Sequence, residues 1–209
     1  LWEQLVELAE SIEHAGLQKL PSALLNAHHE QLLVLPASSN LHHAFPGGWL
    51  RHTLDVTRAA LALADLYSLA PSAAGRLDRS LVLAGALLHD LGKLRELDAA
   101  SGELTAEGRL LGHAVLVRDM VREAAAALAA EAEPESRLEP QMQLRLEHLL
   151  LVHQMPVEPG DPLPPATPEA LLLRACDHFD AQLQMLREAL AEPADGPLTT
   201  SRNALRTRF

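Results

Sequence analysis

The sequence has few of the residues that build sheets, disulfide frameworks or membrane spans. Only 3% of its 209 residues are aromatic, whereas 48% are hydrophobic, so leucine and alanine must fill the core. Such a composition favours helices over sheets. The single cysteine, Cys176, excludes an internal disulfide and indicates a reducing compartment. These scarcities predict an all-α fold and a cytoplasmic location.

Long apolar runs and positive charge are also scarce. No apolar run approaches the roughly 20 residues that span a bilayer, and no signal-peptide pattern is found, so no membrane contact is expected. The chain has 17 Lys and Arg against 28 Asp and Glu, a formal net charge of −11. This charge argues against a large non-specific nucleic-acid surface. It is compatible with a phosphorylated substrate if bound divalent ions locally reverse the field.

The hydrophobic periodicity predicts seven helices and no strand within a single domain over residues 1–209. The expected helices cover about 1–15, 21–35, 49–69, 77–91, 105–131, 140–154 and 168–192. We expect Gly92 to follow the end of the fourth helix as its C′ residue, and Thr105 and Thr167 to cap the fifth and last helices. Six prolines in residues 155–168 predict a stiff loop. Residues 193–209 should form a flexible basic tail, either solvated or in contact with a partner.

A His-Asp pair closes the apolar fourth helix, and four further His or Asp residues lie at inward positions of other predicted helices. Polar groups at such positions are costly to bury unless a partner neutralises them. Each residue alone is typical of a satisfied core position, but one inward donor per helix is how helical bundles build metal centres. The set lacks a thiolate and suits one or two ions of Mn²⁺, Fe²⁺, Co²⁺, Ni²⁺ or Zn²⁺. The candidate ligands are His52, His89, Asp90, His113, His153 and Asp177.

The order His…His-Asp…His…His…Asp resembles the HD-domain metal-dependent phosphohydrolases, and most closely the HD domain of the YhaM-type 3′→5′ exoribonucleases. The resemblance covers roughly residues 38–185, with residues 1–37 as N-terminal helices before this motif-bearing core. The matching stretches are 42–54, 84–97, 105–113, 151–154 and 164–181.

The resemblance implies a helical HD bundle with the metal centre among its central helices. It assigns one metal to His52, His89, Asp90 and Asp177, and a second to His113 and His153 with Asp90 as the bridge. The family usually has a second histidine where this chain has Gln154, so a second ion is expected to bind more weakly. YhaM-type proteins also carry an OB-type nucleic-acid-binding domain before the HD domain. No strand-rich segment precedes the core here, so processive degradation of long RNA is not expected.

Four further residues are candidate contacts for a phosphorylated substrate. Lys93, one turn past Asp90, is either a catalytic cation for the phosphoryl oxygens or a solvated lysine at a helix end. Arg109, one turn before His113, is a candidate for holding a second phosphate. His42 and His43 are either general acids for the leaving oxygen or surface loop histidines.

Three functions fit these patterns. The first is a metal-dependent phosphodiesterase that acts on 3′ ends of RNA or on short oligonucleotides. The second is a phosphohydrolase of nucleotides or small metabolites. The third is a non-catalytic HD module that binds metal and ligand.

Overall fold

The computed structural model describes residues 1–68, 77–99, 101–131, 137–154, 163–191, 198–199 and 203–206. These residues form nine helices, and their one β-type pairing is an isolated bridge between Leu97 and Leu104. The prediction of an all-α fold is confirmed. The helices are α1 (Trp2–Glu10), α2 (Ala15–Ala27), α3 (His29–Leu32), α4 (Gly48–Ser68), α5 (Arg79–Leu88), α6 (Lys93–Glu96), α7 (Ala106–Glu131), α8 (Pro140–Val152) and α9 (Pro168–Ala191).

Helix α5 lies at the centre of the fold. Its residues from Leu81 to Leu88 are all buried, and it contacts α1, α2, α4, α8 and α9. A helix that is apolar all round is stable only when other helices surround it. The chain leaves α5 at His89 and Asp90, so the fold delivers these two polar side chains into the interior.

The first two helices differ from the predicted ranges. α1 ends at Glu10 rather than near residue 15, and α2 begins at Ala15 rather than at Pro21. The cause is His14, whose Nδ1 accepts a hydrogen bond from the backbone N–H of Leu17 at 3.3 Å and so caps α2. Histidine is not among the preferred capping residues, so the apolar pattern gave no sign of this boundary.

Gly92 does not end the fourth helix in a C′ conformation, and that prediction was wrong. α5 already ends at Leu88, and Gly92 has right-handed helical angles (φ −59°, ψ −18°) just before α6. Its lack of a side chain serves packing instead, because a Cβ there would lie 2.1 Å from the carbonyl oxygen of His113. The close approach brings the end of α5 next to α7.

The predicted helix over 105–131 is present with an interruption. Thr105 caps it as expected, since its Oγ1 accepts the backbone N–H of Gly108 at 2.9 Å. Gly112, however, has φ 72° and ψ 157°, which breaks α7 into two segments. His113 is the first residue after the break, so the kink determines where its side chain lies.

The other three long helices, α4, α8 and α9, lie within two residues of the predicted ranges. Thr167 accepts the backbone N–H of Ala170 at 3.2 Å and caps α9 as expected. Of the predicted proline-rich loop, residues 155–162 lie outside the described part of the chain, and so does most of the predicted basic tail. Across the described residues, every helix is too short or too polar to cross a bilayer.

Candidate metal centre

The loop before α4 packs tightly against the first turn of that helix and thereby sets the position of His52. A Cβ on Gly48 would lie 1.9 Å from the carbonyl oxygen of His43, so this contact requires glycine. One turn further on, His52 is fully buried, with its ring 5.3 Å from that of His89. The start of α4 and the end of α5 therefore meet at these two imidazoles.

The six predicted donors come together in one buried cluster. Each has at most 7% of its surface exposed. Donor atoms lie within 4.8 Å of one another in two groups, the first formed by His52, His89 and Asp177 and the second by Asp90, His113 and His153. The structure thus brings together every residue that the sequence singled out as a candidate ligand.

Asp90 lies between the two groups and faces one with each oxygen. Its Oδ2 is 3.4 Å from Nε2 of His52 and 3.6 Å from Nε2 of His89. Its Oδ1 is 3.3 Å from Nε2 of His113 and 3.8 Å from Nε2 of His153. This is the geometry expected of a carboxylate that could bridge two ions.

Two of the four imidazoles are anchored by backbone carbonyls on the side away from the cluster. Nδ1 of His89 donates to the carbonyl oxygen of Ala86 at 2.8 Å, and Nδ1 of His153 donates to that of Leu150 at 2.7 Å. A carbonyl only accepts, so Nδ1 carries the proton and Nε2 of each neutral ring presents a lone pair to the cluster.

Carboxylates anchor the other two rings in the same way. Nδ1 of His52 bonds Oδ2 of Asp180 at 2.8 Å, and Nδ1 of His113 bonds Oε1 of Glu96 at 2.9 Å. Glu96 also accepts the backbone N–H of His113 at 2.9 Å, which fixes the residue after the kink. Metal-binding histidines in proteins are usually held by such outer partners.

The cluster leaves polar atoms buried without partners. Oδ1 of Asp90 and Nε2 of both His113 and His153 have no hydrogen bond. In addition, Nε2 of His89, whose Nδ1 already donates to a carbonyl, faces Nε2 of His52 at 3.3 Å. Unpaired buried acceptors are costly, and a shared cation would satisfy them together. The residues present therefore fit a divalent metal with imidazole and carboxylate ligands.

The pKa shifts of Asp90 and His52 also indicate that the site requires positive charge. Burial alone would raise the pKa of the Asp90 carboxyl, yet the Lys93 ammonium and the His89 ring hold it well below its usual value. Burial alone would likewise lower the pKa of His52, but hydrogen bonds to Asp177 and Asp180 raise it well above the ordinary value. Without another cation, a proton on His52 supplies positive charge that the buried carboxylates require.

Lys93 is buried rather than solvated. Only 4% of its surface is exposed, and its Nζ lies 2.5 Å from Oδ2 of Asp90. A solvated lysine at a helix end, the alternative left open by its spacing, does not fit this position. The ammonium instead adds a fixed positive charge beside the donor cluster.

The other predicted substrate contacts lie at different depths. His42 is half-buried, its ring is 5.0 Å from that of His52, and burial followed by repulsion from His52 and Lys93 lowers its pKa to about 4. His43 is buried and its Nε2 bonds Asp180 at 3.0 Å, so neither of the two is a surface histidine. Arg109 is exposed on the first turns of α7, and the structure shows no contact between it and the cluster.

A cavity of about 210 Å³ opens above the cluster, and its wall includes residues that the sequence did not indicate. The lining residues already discussed from the sequence are His42, His153, Gln154 and Asp177, and the new polar ones are Arg174 and His178.

Sequence reasoning also missed the two outer carboxylates, Asp180 and Glu96. Asp180 had a usable signal, because it follows Asp177 by one helical turn on the same helix. Glu96 had none, since it reaches His113 only through the close packing of α6 on α7.

Known proteins match the part of the chain that contains these residues. The family model described as HD domain matches residues 49–182. The 3′-5′ exoribonuclease YhaM of Bacillus subtilis (strain 168) is 34% identical over 199 residues, which cover 94% of this chain and 58% of that protein. The chain thus spans less than two thirds of the length of this relative. No solved structure matches the chain significantly.

Proposed function

The chain belongs to the HD-domain family of metal-dependent phosphohydrolases, and from that premise we propose that it is a phosphodiesterase acting on RNA 3′ ends or short oligonucleotides. The observation that carries the proposal is the donor cluster, in which four anchored imidazoles and two aspartates turn their donor atoms to one buried volume. The similarity to a 3′-5′ exoribonuclease supports the choice of a nucleic-acid phosphodiester.

We propose that His52, His89, Asp90 and Asp177 hold one ion and that His113 and His153, with Asp90 shared, hold a second. The donor set suits Mn²⁺, Fe²⁺, Co²⁺, Ni²⁺ or Zn²⁺. Bound there, such an ion would polarise a phosphoryl oxygen and lower the pKa of water toward neutrality. Gln154 follows His153 and is exposed, so the second group has no further imidazole at that position, in agreement with a weaker second ion.

The remaining roles fall to side chains around the cluster. Lys93 keeps Asp90 ionised and supplies positive charge that would offset charge developing on the phosphoryl oxygens. His42 lies beside His52 and stays neutral near pH 7, so it can donate a hydrogen bond to the leaving oxygen from whichever ring nitrogen carries the proton. Arg109 remains a candidate for holding a more distant phosphate.

A second candidate function is hydrolysis of nucleotides or small phosphorylated metabolites. The net charge of −11 and the modest cavity favour a small substrate over a long polyanion.

The test is a panel of 3′-hydroxyl oligonucleotides, dinucleotides and mononucleotides, each incubated with the Mn²⁺-loaded protein and with an Asp90→Ala control. We expect wild-type protein to release 5′-mononucleotides from oligonucleotides and the variant to release none. Cleavage restricted to mononucleotides would favour the second candidate. No cleavage of any substrate by metal-replete protein would contradict both and leave a binding module.

A further inference from the structure

One wall of the cavity above the donor cluster is a face of α9. Arg174, Asp177 and His178 all line the cavity. Asp177 and His178 follow Arg174 by three and four residues, so both lie next to it on the surface of the helix. Asp177 belongs to the donor cluster, so this face connects the cluster to the two basic side chains that flank Asp177.

Among the described residues that line the cavity, Arg174 is the one with a permanent positive charge. Lys93 does not line the cavity, because its ammonium is buried against Asp90. Arg174 is half-buried and is therefore the cationic residue that the lining offers to a substrate in the cavity. Guanidinium groups bind phosphate with two parallel hydrogen bonds and do so better than an ammonium.

The position of Arg174 along α9 separates it from the donor cluster. It precedes Asp177 by three residues, a rise of about 4.5 Å along the helix axis. If the donor cluster holds one phosphate of a ligand, Arg174 therefore lies beside the next group along that ligand. Gln154 and His42, whose buried Nε2 has no partner, add hydrogen-bonding groups to the same cavity.

We propose that Arg174, with His178 and Gln154 beside it, binds a second phosphate of the substrate adjacent to the one that is cleaved. The preferred ligands are then phosphodiesters that carry a neighbouring phosphate, and Arg174 determines this specificity. The inference rests on the proposed function, because that function places the cleaved phosphate at the donor cluster.

The test compares the dinucleotide ApA with its 5′-phosphorylated form pApA, which differs only by the second phosphate. In steady-state assays with Mn²⁺, wild-type protein should show the lower KM for pApA. Arg174→Gln should raise the KM for pApA about tenfold, since hydrogen bonds to charged groups contribute on that scale, and should leave ApA unchanged. Arg174→Lys keeps the charge but loses the planar fork, so it should restore the KM only in part.

Arg187→Gln is the matched control. Arg187 lies on the same helix, is exposed and does not line this cavity, and its replacement changes the net charge equally. An equal rise in KM in this variant would mean that overall charge, not a subsite, governs the preference, and would overturn the inference.

Calorimetric binding of the phosphorothioate-linked dinucleotides, whose cleavage is slow, separates the subsite from the activity. Tighter binding of the 5′-phosphorylated form that depends on Arg174, in a protein that cleaves nothing, would contradict the proposed function and support the subsite. Equal binding of the two forms by wild-type protein would overturn the subsite even in an active enzyme.

Discussion

At the scale of single residues, the site depends on how each imidazole is held. Four rings turn Nε2 toward one volume because the opposite nitrogen of each is bonded to a carbonyl or a carboxylate. The two carboxylate partners differ from the carbonyls in that they add charge, which makes the bound imidazole a better donor. Asp180 contributes most broadly, since it also bonds His43.

Asp180→Ala should weaken metal binding by about 10- to 100-fold, the usual effect of losing an outer partner of a ligand. Without the carboxylate, Nδ1 of His52 loses its acceptor, and Nε2 is no longer fixed toward the cluster. Competition with a chelator of known affinity measures the change. Asp65→Ala, which removes an exposed carboxylate paired with Arg79, is the control. Equal affinity in Asp180→Ala and Asp65→Ala would show that His52 needs no outer anchor.

Lys93→Ala should lower turnover by roughly 10²-fold or more, the scale of losing one preorganised electrostatic group. Metal content should stay near normal because an ammonium is not a ligand, and Lys93→Arg should rescue activity only partly. Steady-state kinetics on the metal-replete variants decides the point. Wild-type turnover in Lys93→Ala would remove the residue from the proposed catalytic machinery.

The sequence allowed the six inward donors to be picked out because burial of a His or Asp on an apolar helical face is visible as a break in periodicity. The same rule does not identify Asp180 and Glu96, the carboxylates that hold two of these histidines from outside the cluster. Asp180 is half-buried in the middle of α9, and Glu96 lies on a four-residue helix without a period of its own. The spacing of Asp180 from Asp177 indicates a shared helix face, but the contact of each carboxylate with its histidine depends on how helices pack, which the local pattern does not encode.

At the scale of helices, α4, α5, α8 and α9 were predicted to within three residues, whereas the bounds of α1 and α2 and the short or interrupted helices were not. α3 and α6 have four residues each, too few for an apolar stripe. The kink at Gly112 was also missed, because a single glycine inside a good helical pattern is often tolerated. Yet this kink places His113 against Glu96 and Asp90.

Gly112→Ala should therefore damage both stability and the second metal group. The angles at Gly112 lie in a region that is essentially restricted to glycine, and forcing a side chain into it costs about 1–3 kcal/mol. We expect a lower melting temperature together with weaker binding of the second ion.

Gly102→Ala separates these two effects. Gly102 also has a positive φ, 70°, but lies in the turn before α7, and a Cβ there would meet nothing within 4 Å. This control should lose stability and keep its metal affinity. Loss of stability without loss of metal affinity in Gly112→Ala as well would show that the kink does not position His113.

At the scale of the whole molecule, the donors come from α4, the end of α5, α7, the end of α8 and α9, so the cluster joins most of the central helices. A ligand that binds only the folded state stabilises it by mass action. Chelation of the metal should therefore lower the melting temperature by about 5–10 °C, given about 2.7 kcal/mol at a hundredfold excess over Kd and about 2–4 °C per kcal/mol for a chain of this size. Mn²⁺ added back should restore the transition. A melting curve that chelator leaves unchanged would contradict a site built from core helices.

The central claim is that this cluster binds metal, and the metal content of Asp90→Ala tests it most directly. Asp90 faces both groups of donors, and no neighbouring side chain can replace both of its oxygens. Elemental analysis of purified protein should find divalent transition metal in the wild type and in an Asp119→Ala control, whose carboxylate is partly exposed and pairs with Arg118. We predict that Asp90→Ala, folded by circular dichroism, contains almost none. Full metal content in folded Asp90→Ala would contradict the account.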